Sequence, residues 1–494
     1  MPTVADAQIK EAGVLATAFG HVREGLRYRA TLLFLFTAGV LLFTYFDVYH
    51  HHWLLKLVGG YVVKAWVPPA ILLLFALWQI RRDVSPRHRL AGLRYPAMFL
   101  GAYILFGSVS LAWNEDPYHA VKYGLVMFGP ALIFLASILL LDRNTDIEKV
   151  LHVLFWAGVL LSAHVFYMYE IRGFHSWVGG PYVMKWMWTG QEAQEALKLN
   201  YYSDTGHFDY SKTLKLIDEP AFAAMLAPLV LFGFFLAARA GTWQGWLYFI
   251  PALFLLYSLI GTAARSSFLA FAVGLVPFLW FIRRRRLQVL LVVMATAGLL
   301  WQQPFILYRT ALLAGAVLSR AIELTGTEST LPLFRGLATS MKKLDDFVKK
   351  QMPIQKDGHI ESVTATIERT RDYPILGYGM GRLLAEHATP NSSWHIEHNR
   401  YLFILSTSGL LTAVPYALFL LSLAWLTWKA FPARRKTPEP SIHLGILLFP
   451  ALILFALQIN NCGQERYYYW GFFGLAAAWI RNRTLMEHRE HPSR

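Results

Sequence analysis

The sequence predicts an all-α polytopic membrane protein, with about 12 transmembrane helices and a large helical loop outside the membrane. Three observations predict it. Of the 494 residues, 55% are hydrophobic and 15% aromatic, and the mean hydropathy is +0.38. Apolar runs repeatedly reach the roughly 20 residues that span a bilayer. They are too long and uninterrupted for barrel strands, and only helices or closed barrels satisfy their backbone in lipid. Finally, the Lys and Arg residues behind the net charge of +15 punctuate the apolar runs, which argues for membrane topology and against nucleic-acid binding.

Twelve spans are expected, near 30–46, 61–80, 95–113, 118–141, 149–169, 220–239, 243–260, 264–282, 287–309, 399–428, 442–460 and 465–482. The basic stretch through Arg29 leads straight into the first span, so no cleavable signal is expected. Arg23, Arg27 and Arg29 precede span one, and Arg81, Arg82, Arg87, Arg89 and Arg94 follow span two. Arg143 and Lys149 follow span four, and Arg283 to Arg286 follow span eight. Lys429, Arg434, Arg435 and Lys436 follow span ten, and Arg481 and Arg483 follow span twelve. All fall on one side if both termini are cytoplasmic. On the opposite side, Arg265 and Arg466 stand out in short loops otherwise nearly free of basic residues.

The chain therefore divides into three parts. Residues 1–309 hold spans one to nine, with an outer loop at 170–219. Residues 310–398 form a large outer loop, and residues 399–494 hold spans ten to twelve and a cytoplasmic tail. In the large loop, Leu337, Met341, Leu344 and Val348 share one helical face opposite Lys342, Lys343, Asp345, Asp346, Lys349 and Lys350. Such a helix lies on the bilayer or caps the bundle. A second amphipathic helix, with Ile360, Val363 and Ile367 on one stripe, is expected to end at Pro374. The single cysteine, Cys462, rules out an internal disulfide.

The candidate chemistry clusters at the outer ends of spans. "WHIEHNRYLFILSTSGLL" places Glu397, His398, Asn399 and Arg400 at the mouth of span ten. A histidine near neutral pKa can take a proton from a hydroxyl, with Glu397 or Asn399 orienting its ring. It can equally cap a helix at the interface. Arg400 binds either phosphate or only the headgroup region. Arg265, in "GTAARSSFLAF", either pairs bidentately with phosphate, helped by Ser266 and Ser267, or snorkels to the interface. Asp218 and Glu219 before Pro220 make an ordinary helix start, or a carboxylate that binds acceptor or orients an arginine.

"YPILGYGMGRLL" (Tyr373 to Leu384) lacks the βαβ frame of a dinucleotide site. It reads as a tight turn, with Arg382 near the site. The histidines of "YHHHW" are adjacent and point apart on a helix, which disfavours zinc. Glu115 and Asp116 in "WNEDP" read as a solvated turn before a metal site.

Three stretches, "AARSSFLAF", "YPILGYGMG" and "EHNRYLFILSTSGLL", in that order around a long outer loop, together resemble the O-antigen ligase/polymerase superfamily with its Wzy_C-type core. The resemblance covers about 262–412. Within the superfamily the chain is most similar to the ligase (WaaL) branch.

The resemblance implies an inner-membrane glycosyltransferase with a periplasmic active site, involved in lipopolysaccharide biosynthesis. It implies a donor glycan on undecaprenyl pyrophosphate, a lipid A-core hydroxyl as acceptor, and no metal or other cofactor. It assigns the family's histidine to His398 and its arginine to Arg265, and Glu219 less securely. One departure concerns a second family arginine about fifteen residues before the proline, where this chain has His359. Arg382, Arg371, Arg369, Arg466 and His359 itself are the substitutes for that phosphate partner. Polymerase and O-linked protein glycosyltransferase are the related alternatives. A transporter of lipid-linked glycan is the alternative of another class, but it should place ionisable groups at mid-membrane in broken helices.

Overall fold

The structure is a computed structural model. It describes residues 69–74, 76–77, 90, 92–110, 121, 124, 128–141, 143–167, 219–240, 242–262, 265–282, 291–292, 294, 296, 366–367, 370–379, 400–430, 448–449, 451 and 467–490. Among these residues there is no strand. The helices are α1 (Arg94–Val109), α2 (Ala131–Leu140), α3 (Asn144–Phe166), α4 (Glu219–Arg239), α5 (Thr242–Gly261), α6 (Arg265–Ile282), α7 (Arg400–Lys429) and α8 (Tyr467–Glu490).

Four segments are long and apolar enough to cross a membrane: Asn144–Phe166, Phe222–Arg239, Trp243–Gly261 and Arg400–Lys429. Large apolar side chains face outward on three of these, all but Phe222–Arg239. Leu160 is 71% exposed, Ile250 61%, Leu421 64% and Trp425 65%. A water-soluble bundle does not leave so much apolar surface uncovered; a lipid-facing one does.

Helix α4 lies at the centre of one group. Residues 222–238 are buried all round, as expected for a helix apolar on every face. It packs on α3, α5 and α6. Close approach depends on small residues, as in other membrane helix contacts. A Cβ on Gly233 would lie 2.5 Å from Phe155 Cε2 and 2.7 Å from Ala252 Cβ. Helices α3 and α4 run antiparallel, because Glu148 near the start of α3 pairs with Arg239 at the end of α4 (2.8 Å) while Phe155 meets Phe232.

The second group pairs α1 with α7 and α2 with α8, and α8 also meets α7 and α3. Helix α1 is antiparallel to the later part of α7, since Ser110 reaches Ser408 and Tyr103 reaches Tyr416. Arg481 of α8 is buried (1% exposed) and donates to the carbonyls of Ile138 and Leu141, at the end of α2. Asn482 adds bonds to Leu141 O (3.2 Å) and Asn144 Oδ1 (3.3 Å). The sequence reading has Arg481 and Arg483 in a loop after span twelve. Here they lie inside α8, because the unsatisfied last carbonyls of α2 give Arg481 its partners.

Two expected spans are interrupted. Span 118–141 breaks at a Gly129–Pro130 turn, and α2 restarts with Ile133 N–H on Pro130 O. A proline has no N–H for the preceding turn. At about 15 Å, α2 alone is too short to cross a bilayer. Span ten breaks at Gly409, as described below. The loops expected at 170–219 and 310–398 lie outside the described residues, apart from 366–367 and 370–379. The first amphipathic helix and spans one and nine lie outside them wholly or almost so. The second amphipathic stripe is helical at Thr366–Ile367 and Thr370–Asp372, before the Tyr373–Leu376 turn.

Candidate functional site

The geometry of the site begins at one residue. Gly409 has φ 67° and ψ −176°, a region open essentially to glycine alone. The helical run of α7 reverses there. The Tyr401 and Tyr416 rings are 6.2 Å apart. Fifteen residues of straight helix would separate them by about 22 Å. Thus α7 is a half-helix, Arg400–Ser408, folded back on a second helix, Leu410–Lys429. The first piece is too short to cross a bilayer. The second, about 30 Å long, has the length of one crossing. One end of this element is therefore the elbow at Gly409, whereas the sequence reading puts Arg400 at the end of the span.

A broken helix exposes carbonyls and N–H groups, each costing several kcal/mol in hydrocarbon if unsatisfied. The "YPILGYG" loop satisfies them. Tyr378 N–H and Gly379 N–H donate to Ser406 O (2.7 Å) and Thr407 O (3.0 Å), closing the half-helix. Leu410 N–H and Leu411 N–H donate to Pro374 O (2.9 Å) and Ile375 O (3.2 Å), opening the second helix. The contact is backbone on backbone. A Cβ on Gly377 would meet Ser408 N and lie 2.5 Å from Gly409 N. Gly377 itself has φ 76°. Tyr373, Ile375 and Leu376 point outward from this joint and are exposed.

Behind the elbow lies an aromatic cage. Arg400 is 1% exposed. Its Cζ is 5.3 Å from the ring centres of Tyr401 and Tyr416 and 4.9 Å from that of Tyr469 on α8. Tyr103 of α1 backs Tyr416 at 5.0 Å. Electron-rich ring faces attract a guanidinium, most strongly where water is excluded. The charge needs such partners, because a cation at a helix N-terminus opposes the helix dipole.

Among the described residues, the packing directions bring Glu219 and Arg265 toward one end of the helices. Glu219 starts α4, and Arg265 starts α6 shortly after the end of α5, which packs on α4. The end of α3, the start of α8, Ser110 and the elbow lie toward that same end. Arg94, Arg143, Arg239, Lys429, Arg481 and Arg483 lie toward the other. The structure describes the backbone of Glu219 and Arg265. His398, Glu397, Asn399, Arg382, His359, Arg369 and Arg466 lie outside the described residues, as do Asp218, Glu115 and Asp116. Arg371 is exposed, shortly before the loop.

Sequence reasoning missed the elbow and the cage. The 30-residue length of the Arg400–Lys429 run, well beyond one crossing, was a usable sign of the break. The tyrosines carry no such sign, because their meeting depends on the reversal at Gly409.

The fold and this joint define a helical membrane protein whose loop motif "YPILGYG" caps a broken helix carrying "RYLFILSTSGLL". Residues 250–417 match the family model described as O-antigen ligase (Wzy_C), less than half of the chain. The match supports that family and a ligase- or polymerase-type glycosyl transfer from lipid-linked glycan. No curated protein matches the chain.

Proposed function

We propose that the chain is an inner-membrane, metal-independent glycosyltransferase of the O-antigen ligase type. It moves glycan from undecaprenyl pyrophosphate to a lipid A-core hydroxyl on the periplasmic face. One observation carries this reading: within the matched segment, two of the three family-like motifs dock on each other at the elbow, toward the end where Arg265 begins α6. The gathering of basic residues toward the opposite end supports a cytoplasmic location for that end and a periplasmic one for the elbow.

In this mechanism Arg265 and a second cation, drawn from Arg382, His359 and Arg466, neutralise the donor pyrophosphate as charge develops on it. Arg400 could be a further phosphate partner only by leaving its cage. His398 takes the proton of the acceptor hydroxyl while that oxygen attacks the anomeric carbon. The bond from that carbon to the pyrophosphate oxygen breaks, and the electron pair leaves with undecaprenyl pyrophosphate. Attack opposite the leaving group inverts the anomeric centre. Glu397 or Asn399 orients the imidazole, and Glu219 contributes to acceptor binding.

A broken helix with a buried arginine also suits a transporter of lipid-linked glycan. One experiment separates these readings. Purified protein is incubated in EDTA with lipid-linked glycan and a lipid A-core acceptor. Glycan on the core supports ligase, and lengthened donor supports polymerase. Donor that stays chemically intact yet changes leaflet in vesicles would replace the proposal with transport.

A further inference from the structure

We propose that Arg400 is a positioning residue. Its insertion among Tyr401, Tyr416 and Tyr469 fixes the start of the half-helix, and thereby the place of the base at His398. This rests on the transferase reading above. The half-helix is held at both ends by different means. Its C-terminal end is tied to the outer loop by main-chain bonds at Ser406 and Thr407. Its N-terminal end is tied to the second part of α7 and to α8 by the Arg400 side chain.

The cage draws on several elements. Tyr401 is its own neighbour, Tyr416 comes from the helix beyond the elbow, and Tyr469 comes from α8, with Tyr103 of α1 behind. Trp470 of α8 lies 6.5 Å from Tyr103 and stacks on Phe419, which fixes the wall of the cage. A planar guanidinium can lie against several rings at once, whereas an ammonium is a compact point charge. Covalent geometry holds the Cα of His398 within about 7.5 Å of that of Arg400. The proposed base is thus tethered within two peptide units of the clamped residue. Loss of the clamp leaves the base present but displaced, and a 1 Å displacement of a catalytic group can cost about 100-fold in rate.

The test uses the full-length purified protein in detergent, with two readouts. One is transfer kinetics with lipid-linked glycan and lipid A-core acceptor. The other is hydrogen exchange of the amides of residues 401–408. Arg400→Lys and Arg400→Met are expected to lower kcat about 10- to 100-fold, leave the KM for donor within a few-fold, and speed exchange in the half-helix. Tyr469→Phe keeps the ring face and should stay within a few-fold of wild type, whereas Tyr469→Leu should follow Arg400→Met.

In a His398→Ala background, Arg400→Lys should lower the residual rate no further, because the base it positions is already gone. A purely structural arginine would give an additive loss there. A raised donor KM with unchanged kcat would make Arg400 a pyrophosphate ligand and overturn the proposal. Unchanged exchange in Arg400→Met would overturn it as well. That readout needs no turnover, so failure of the clamp is distinguishable from absence of transferase activity in the wild type.

Discussion

At the scale of single residues, the proposed chemistry divides between charge and proton. Arg265→Ala is expected to abolish transfer, because removing one donor that stabilises transition-state charge typically costs about 3–4 kcal/mol. Arg265→Lys should keep only a small remnant, since lysine retains the charge but lacks the planar fork. Radiolabelled glycan attachment by folded variants measures both, and near-normal attachment by Arg265→Ala would remove the arginine from the mechanism. His398→Ala should lose about 10²- to 10⁴-fold in turnover while still binding donor. His398→Gln should not recover, because an amide cannot accept the proton. If His398→Gln works within a few-fold of wild type, the histidine orients groups and does not act as base. These proposed roles rest on the residue types and their motif contexts. The burial of Arg400 was not legible there, because nothing local to "EHNRYL" reveals that Tyr416 and Tyr469 come to enclose it.

At the scale of elements, the joint between the "YPILGYG" loop and α7 stands on two glycines. Gly409 occupies a glycine-only backbone region, and a Cβ there would strike the Ile375 carbonyl. Gly377 faces the same contact from the other side. Gly409→Ala and Gly377→Ala should each destabilise the fold by more than the roughly 1–2 kcal/mol of left-handed strain alone, since neither backbone can yield without opening the main-chain bonds. Thermal unfolding in detergent checks this, and an unchanged midpoint for both variants would show that the elbow can relax. Gly233→Leu should likewise separate α4 from α3 and α5, lowering the yield of monodisperse protein.

Among the described residues, most helices could be anticipated from run length, and some of their ends from Pro220 and the flanking basic residues. Where the sequence reading missed a break in a span, the cause was local. Gly129–Pro130 and Gly409 lie inside apolar runs, so hydropathy reads through them while backbone geometry does not.

At the scale of the whole molecule, the array is polarised. One end gathers the elbow, the "YPILGYG" motif and the starts of α4 and α6, and the other gathers basic residues. The termini are expected in the cytoplasm and residues 310–398 outside. A cysteine placed at position 350 should react with an impermeant reagent only from the periplasmic side, and reaction only from the cytoplasmic side would invert the whole arrangement. The most direct test combines sidedness with chemistry. Membrane vesicles of both orientations are loaded with lipid-linked glycan, and a membrane-impermeant core-oligosaccharide acceptor is added outside in the presence of EDTA. Glycan should appear on the acceptor only in right-side-out vesicles, and should vanish with His398→Ala. Transfer confined to inverted vesicles, or dependent on restored Mg²⁺, would contradict a metal-independent transferase working at the elbow end of the bundle.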